Sequence, residues 1–148
     1  MFAQKCGDIF ESNPGTAIGH CISADGCMSK GIAKLFVKKY PELAKLRNKN
    51  PMVGEAVMVR VGERVIFNLV TKARFWQKPT LAKLEESLES MKWQSLKLGI
   101  SIVNLPKIGC GLDRLRYEGG VEPVIERTFK DSGVNIVVYT LEAIDLSR

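Results

Sequence analysis

Ile100-Ser101-Ile102-Val103-Asn104-Leu105-Pro106-Lys107-Ile108-Gly109-Cys110-Gly111-Leu112-Asp113 is the stretch on which the fold turns. Ile100 to Leu105 is rich in β-branched and apolar residues and reads as a strand, which Pro106 ends. Two glycines then bracket Cys110, and Asp113 closes the loop. Glycine admits backbone conformations that let several N–H groups converge on one anion. A G-x-G pair also serves ordinary tight turns. Here it follows an apolar strand and ends on an acid.

The same alternation continues upstream and downstream. Pro79-Thr80 opens an amphipathic helix whose stripe is Leu81, Leu84, Leu88, Met91 and Leu96, with Gly99 as its stop. Before it, Glu55 to Val61 and Arg64 to Val70 read as two strands joined at Gly62-Glu63. Earlier still, Gly26 to Gly31 is a loop leading into a helix with Ile32, Leu35 and Phe36, and Pro41 starts a second helical segment with Leu43 and Leu46. The turn Asn13-Pro14-Gly15 introduces a strand from Thr16 to Ile22, and Phe2 to Cys6 is a short first strand ending at Gly7-Asp8. Downstream, Val121 to Phe129 has helical spacing through Val124, Ile125 and Phe129, and Val134 to Leu141 is a last strand. Its segment Ile136-Val137-Val138-Tyr139 is apolar on both sides, which suits a central position in a sheet.

Strands alternating with helices in this order give an α/β sheet with helices packed on both faces. In open α/β sheets the ligand sits outside the carboxyl ends of the strands. That rule directs attention to the loops after Cys6, Ile22, Val70 and Leu105. Ser23 to Ile32 runs into a helix N-terminus, an anion site in its own right, or else a connection capped by Asp25 or Ser29. Asp8, after Gly7, can accept from an exocyclic amine such as that of adenine, or can cap a turn. Lys72, in Thr71-Lys72-Ala73-Arg74, is either a solvated strand-end charge or a nucleophile. For the second role it must lose a proton that a free lysine holds to a pKa of about 10.4. Burial under a ligand, or positive charge such as Arg74 nearby, would lower that value.

Bulk properties bound these readings. The chain has 148 residues, 45% of them hydrophobic and 26% charged, as in one soluble globular domain spanning 1–148. No apolar run reaches the roughly 18 residues of a membrane span, and no basic segment with an apolar stretch opens the chain as a secretion signal would. Cys6, Cys21, Cys27 and Cys110 form no C-x-x-C pair and are expected as reduced thiols. His20, Cys21 and Cys27 match no common zinc spacing, so His20 is expected as a histidine at a strand end and no metal or cofactor is expected. A net charge of +6 calls for an anionic partner. The basic residues between Lys30 and Lys49 have the pattern of a solvated helix face. Without an aromatic ladder beside them, a nucleotide-sized ligand fits better than a nucleic-acid track.

Gly7-Asp8-Ile9-Phe10, His20-Cys21-Ile22-Ser23, Met28 to Ala33, Leu69-Val70-Thr71-Lys72, Lys78-Pro79-Thr80 and Pro106 to Leu115 together resemble one macrodomain subgroup, that of terminal ADP-ribose protein glycohydrolase. The run Ile108 to Leu115 is its most specific stretch, and Val138-Tyr139-Thr140-Leu141 is similar to its last strand. The resemblance covers nearly the whole chain. It implies a three-layer α/β/α sandwich with a mixed central sheet and an ADP-ribose cleft at its top. Asp8 and Ile9 would hold the adenine with Leu141 near it. Ser23, Gly31 and Ile32 would line the ribose and diphosphate, and Lys107, Ile108, Gly109, Cys110, Gly111 and Leu112 would wrap the diphosphate with backbone donors.

By the same resemblance Lys72 would match the catalytic lysine and Asp113 the catalytic aspartate. The implied reaction removes ADP-ribose from glutamate or aspartate esters on proteins and deacylates O-acyl-ADP-ribose. Its partners would be ADP-ribose, mono-ADP-ribosylated proteins and poly-ADP-ribose chains, met by a monomer in the nucleus or cytoplasm. The loop Met28-Ser29-Lys30-Gly31 is poorer in glycine than the family's usual first phosphate loop. A reader that binds ADP-ribose without cleaving it, a phosphatase for ADP-ribose 1″-phosphate, and a nucleic-acid adaptor are the competing functions.

Overall fold

The computed structural model describes residues 2–109 and 115–140. Its strands are β1 (Phe2–Cys6), β2 (Ala17–Ser23), β3 (Ala56–Val61), β4 (Arg64–Lys72), β5 (Ile102–Pro106) and β6 (Asn135–Thr140). Its α-helices are α1 (Gly31–Lys39), α2 (Leu81–Leu98) and α3 (Glu122–Phe129). Short 3-10 segments cover Ile9–Glu11 and Pro41–Asn48, and a π-helical turn, Tyr117–Val121, leads into α3.

The strands form one sheet in the order β1-β6-β5-β2-β4-β3. β3 and β4 are antiparallel, as their short connection at Gly62-Glu63 requires, and the other pairings are parallel. The sheet is therefore mixed, and β6 lies between β1 and β5 as its apolar run requires.

Alternation along each strand divides the core. From β4, Val65, Phe67 and Leu69 join Leu84, Leu88 and Met91 of α2 and Val124, Ile125 and Phe129 of α3. Ile66 and Val70, with Ile18 and Ile22 of β2, face Phe36 of α1 and Leu43 and Leu46 of the 3-10 segment. A period of two on the strands thus feeds two separate cores, one on each face of the sheet. The result is a three-layer α/β/α sandwich.

α2 is bounded as its sequence requires. Thr80 Oγ1 accepts from the Lys83 N–H at 3.1 Å, and Gly99 ends the helix in the left-handed region at φ 72°. Its buried stripe differs from the expected one. Leu81 and Leu96 are 38% and 42% exposed, while Ser87 and Ser95 are buried beside Leu84, Leu88 and Met91. The buried stripe therefore runs through two small serines and leaves out the leucines at either end of the expected one.

His20 also departs from expectation. It sits inside β2, fully buried, in register with Asn68 of β4. Its ring stacks on Phe36 with centroids 4.0 Å apart, and its Nε2 lies 2.7 Å from Asn68 Oδ1. Asn68 Nδ2 donates to the Val57 carbonyl at 2.9 Å, which orients the amide and makes His20 Nε2 the donor. Burial pushes the imidazole pKa down to about 4, against the smaller opposing effect of the Asn68 bond.

Candidate functional site

β2 and β5 are adjacent parallel strands whose following helices pack on opposite faces of the sheet, α1 on one and α3 on the other. This divergence is a topological switch point, where a crevice opens outside the carboxyl ends of the strands. A cavity of about 390 Å³ occupies it. One wall comes from the loop after β2, with Ser23, Cys27, Ser29, Lys30, Gly31 and Ile32. A second comes from the end of β4, with Lys72 and Phe75, and a third from Pro106, Lys107, Ile108 and Gly109 after β5.

Each wall has a local cause. α1 begins at Gly31 with no side-chain cap on its N-terminal N–H groups, the neighbouring Lys30 being its N-cap residue. Such a helix start favours an anion by its donors and its dipole. The capping by Asp25 or Ser29 considered from sequence is therefore absent at α1. The first-turn apolar residues Ile32 and Leu35 are 37% and 50% exposed, and Ile32 lines the cavity instead of the core. Gly109 has φ 76°, and a Cβ built on it would stand 2.9 Å from Leu115 Cδ1. Only glycine fits that turn without displacing its neighbour. Lys107 Nζ lies 5.1 Å from the ring centroid of Tyr117, a cation–π distance that keeps this charge beside the loop.

Asp25 ties two of the walls together. The Ser23 hydroxyl donates to Oδ1, the Cys27 N–H donates to the same oxygen at 3.0 Å, and the Phe75 N–H donates to Oδ2 at 3.0 Å. Burial works against ionisation here. The three hydrogen bonds and the charge of Arg74 outweigh it and hold the carboxyl below its ordinary range. The charge of Arg74 is one of the influences on Asp25.

Of the residues expected at the site, Ser23, Gly31, Ile32, Lys72, Lys107, Ile108 and Gly109 meet around the one cavity. Asp8 and Ile9 do not line it. Asp8 is exposed at the same edge of the sheet, after β1, and its Oδ1 accepts from the Phe10 N–H at 2.9 Å, capping the 3-10 turn. Ile9 is 5% exposed and packs into the core beneath α1. Cys110, Gly111, Leu112, Asp113 and Leu141 lie outside the described residues. Among the described residues no group of three His, Cys, Asp or Glu side chains is placed to hold a metal. Sequence reasoning missed Phe75 and the joining role of Asp25. The signal for the first was legible: Phe75 and Trp76 are adjacent aromatics just after a strand end, and they are 50% and 71% exposed.

A mixed α/β/α sandwich with uncapped helix donors, a glycine turn and three lysines around one cleft is an architecture suited to an anionic, nucleotide-sized ligand. No protein-family model matches the chain. It is 42% identical over 135 residues to ADP-ribose glycohydrolase OARD1 of Homo sapiens, across 91% of this chain and 88% of that protein. It is 26% identical over 149 residues to the DNA ADP-ribosyl glycohydrolase of Mycobacterium tuberculosis, across 94% of this chain and 42% of that one. Among solved structures, the macrodomain of Mycobacterium tuberculosis DarG superposes with a TM-score of 0.84 at 26% identity, covering 94% of this chain and 97% of that one. This chain belongs to the macrodomain family of ADP-ribose glycohydrolases.

Proposed function

We propose that this chain binds ADP-ribose across the carboxyl ends of its parallel strands and hydrolyses the ester that joins it to a glutamate or aspartate side chain. O-acyl-ADP-ribose, an ester of the same kind, is deacylated at the same site. The observation that carries the reading is the position of Lys72. It lines a 390 Å³ cavity whose other walls are the start of α1 and the glycine turn after β5. In this reading those walls take the diphosphate on backbone donors. Asp8, four strand positions away at the far end of the order β1-β6-β5-β2-β4, takes the adenine with Ile9 and Leu141. Four inter-strand steps span about 19 Å, enough for an extended dinucleotide-like ligand.

The reacting ribose then lies against Lys72. The neutral amine of Lys72 forms a bond to the anomeric carbon, and the carboxylate leaves with the electron pair of the carbon–oxygen bond. The ribose ring opens to give a Schiff base on the lysine. Water adds to that carbon, the lysine leaves as an amine, and ADP-ribose is released. Asp113 supplies and removes the protons in these steps, a role that rests on the family resemblance. Cys110, Gly111 and Leu112 complete the diphosphate loop on the same ground. The partners we assign are mono-ADP-ribosylated proteins and the ends of poly-ADP-ribose chains, reached in the nucleus or cytoplasm by a monomer.

The test is a time course of ADP-ribose release from a protein mono-ADP-ribosylated on glutamate. Release by the wild-type chain, falling by about a thousandfold or more in Lys72→Ala, is the expected result. Binding of ADP-ribose with no release makes the cleft a reader and Lys72 a strand-end charge. Phosphate release from ADP-ribose 1″-phosphate, with esters untouched, makes the chain a phosphatase.

A further inference from the structure

We infer that Asp25 is the positioning residue of this site, setting the Lys72 end of β4 against the ligand held by the loop after β2. The inference rests on Lys72 acting as the nucleophile. The two loops come from strands that pair along their length, with a register irregularity between Ile22 and Ser23 that brings Ser23 opposite Lys72. Beyond that point ordinary strand pairing ends, and the loops are joined by specific bonds. The Ala24 N–H donates to the Lys72 carbonyl at 2.8 Å, and the Asp25 N–H to the Ala73 carbonyl at 3.2 Å. The Asp25 carboxylate adds the Phe75 N–H at 3.0 Å on Oδ2, while Oδ1 holds Ser23 and Cys27 of its own loop. One side chain therefore fixes the backbone on both sides of the cavity, and its two oxygens serve different walls.

The far side of this clamp is also anchored. Gly26 has φ 70°, and a Cβ there would stand 2.5 Å from Arg47 Cα. The loop thus rests against the backbone of the 3-10 segment Pro41–Asn48. Asp25 also decides what Ser23 offers the ligand. The hydroxyl has one proton, and Asp25 takes it. Ser23, 2% exposed, then presents only acceptor lone pairs to the cavity. An acceptor suits a ribose hydroxyl and repels a phosphate oxygen. This places the sugar, not the diphosphate, at Ser23, on the Lys72 side of the cleft.

The experiment compares wild type, Asp25→Asn and Asp25→Ala in single-turnover and steady-state ADP-ribose release, alongside calorimetric binding of ADP-ribose and melting temperature. Asparagine keeps an acceptor for Ser23 and Cys27 but sets an amide N–H₂ against the Phe75 N–H, so it breaks one arm. Alanine breaks three. Misplacement of a reacting group costs rate more than ground-state binding, so kcat is expected to fall about tenfold in Asp25→Asn and about a hundredfold in Asp25→Ala. ADP-ribose affinity in Asp25→Asn should change by less than about threefold, with the melting temperature near wild type. Wild-type kcat in both variants overturns the assignment. So does a loss of affinity and melting temperature in Asp25→Asn as large as the loss of kcat, which marks a plain loop staple. If the wild-type chain itself releases nothing, the functional reading fails, and the binding data alone then report on Asp25.

Discussion

β4 begins with one cation and ends with another, and the two are treated in opposite ways. Arg64, at its amino end, is 5% exposed and among the described residues has no carboxylate hydrogen-bond partner. Its guanidinium donates to the carbonyls of Phe10, Ser12, Asn13 and Thr16 and to the hydroxyls of Ser12 and Tyr40, at 2.9 to 3.4 Å. Lys72, at the carboxyl end, lines the cavity. Arginine's planar fork of five donors is suited to gathering a turn of irregular chain, and its positive charge is spread over that turn. A lysine amine is a single point that can be deprotonated and can attack. One end of the strand spends its cation on folding, and the other places its cation in the wall of the cleft.

The strongest way to break this comparison is Arg64→Met. The apolar replacement fills much of the volume but strands the acceptors that the guanidinium had gathered. A buried charge site with its hydrogen bonds removed costs about 3–5 kcal/mol, which should appear as a lower urea midpoint with an unchanged slope. The kcat for ADP-ribose release by the folded fraction should stay within about twofold of wild type, since Lys72 lies at the opposite end of β4. A large loss of kcat at full stability would mean that the two ends are not separate.

The two ends also differ in how much of them can be read from sequence. Gly109 of the β5 loop, the helix start at Gly31 and the lysine at the end of β4 all lie at or beyond the carboxyl ends of strands, and the strand-end rule gathers them without knowledge of any contact. The same is true of the hairpin at Gly62-Glu63 and of the Thr80 and Gly99 boundaries of α2. What escaped is pairing across long separations. Arg64 meets partners 24 to 54 residues earlier, and Asp25 meets Phe75 across 50 residues. Neither pairing has a period or a motif. Depth was equally hidden: Ile9 and His20 are buried because other elements cover them, α1 above all, and their own neighbours in sequence do not announce it.

His20 tests where the boundary between the two regimes falls, because it lies partway along β2 between the amino-end knot and the cleft. Its folded pKa of about 4 stands below the ordinary 6.5, so the native state refuses a proton that the unfolded chain accepts. Above pH 6.5 both states are neutral and nothing is lost. Below it, stability falls by about 1.4 kcal/mol per pH unit, or about 2 kcal/mol between pH 6.5 and 5. The chain has one histidine, so this slope belongs to His20 and should flatten in His20→Met. That variant is less stable throughout, because Asn68 Oδ1 loses its donor. If ADP-ribose affinity stays level over the same pH range while stability falls, the middle of the strand sides with the folding end. A parallel decline in affinity would move the boundary towards the amino end.

The smallest effect is the one that separates the regimes most sharply. Gly109→Ala puts a methyl at φ 76° and 2.9 Å from Leu115 Cδ1, the movable end of a flexible side chain. Leucine can shift, so the folding cost is mainly the left-handed backbone, about 1 kcal/mol. The turn itself cannot shift without changing the cavity wall that Gly109 forms, and ADP-ribose affinity should fall by roughly tenfold, about 1.4 kcal/mol. At the amino end, stability moves and turnover does not. Here a smaller change on folding carries a full decade in binding, measured by calorimetry on protein shown to be folded at the same temperature. Equal stability loss with unaltered affinity would take Gly109 out of the ligand's wall and leave the helix start at Gly31 as the anion's principal donor.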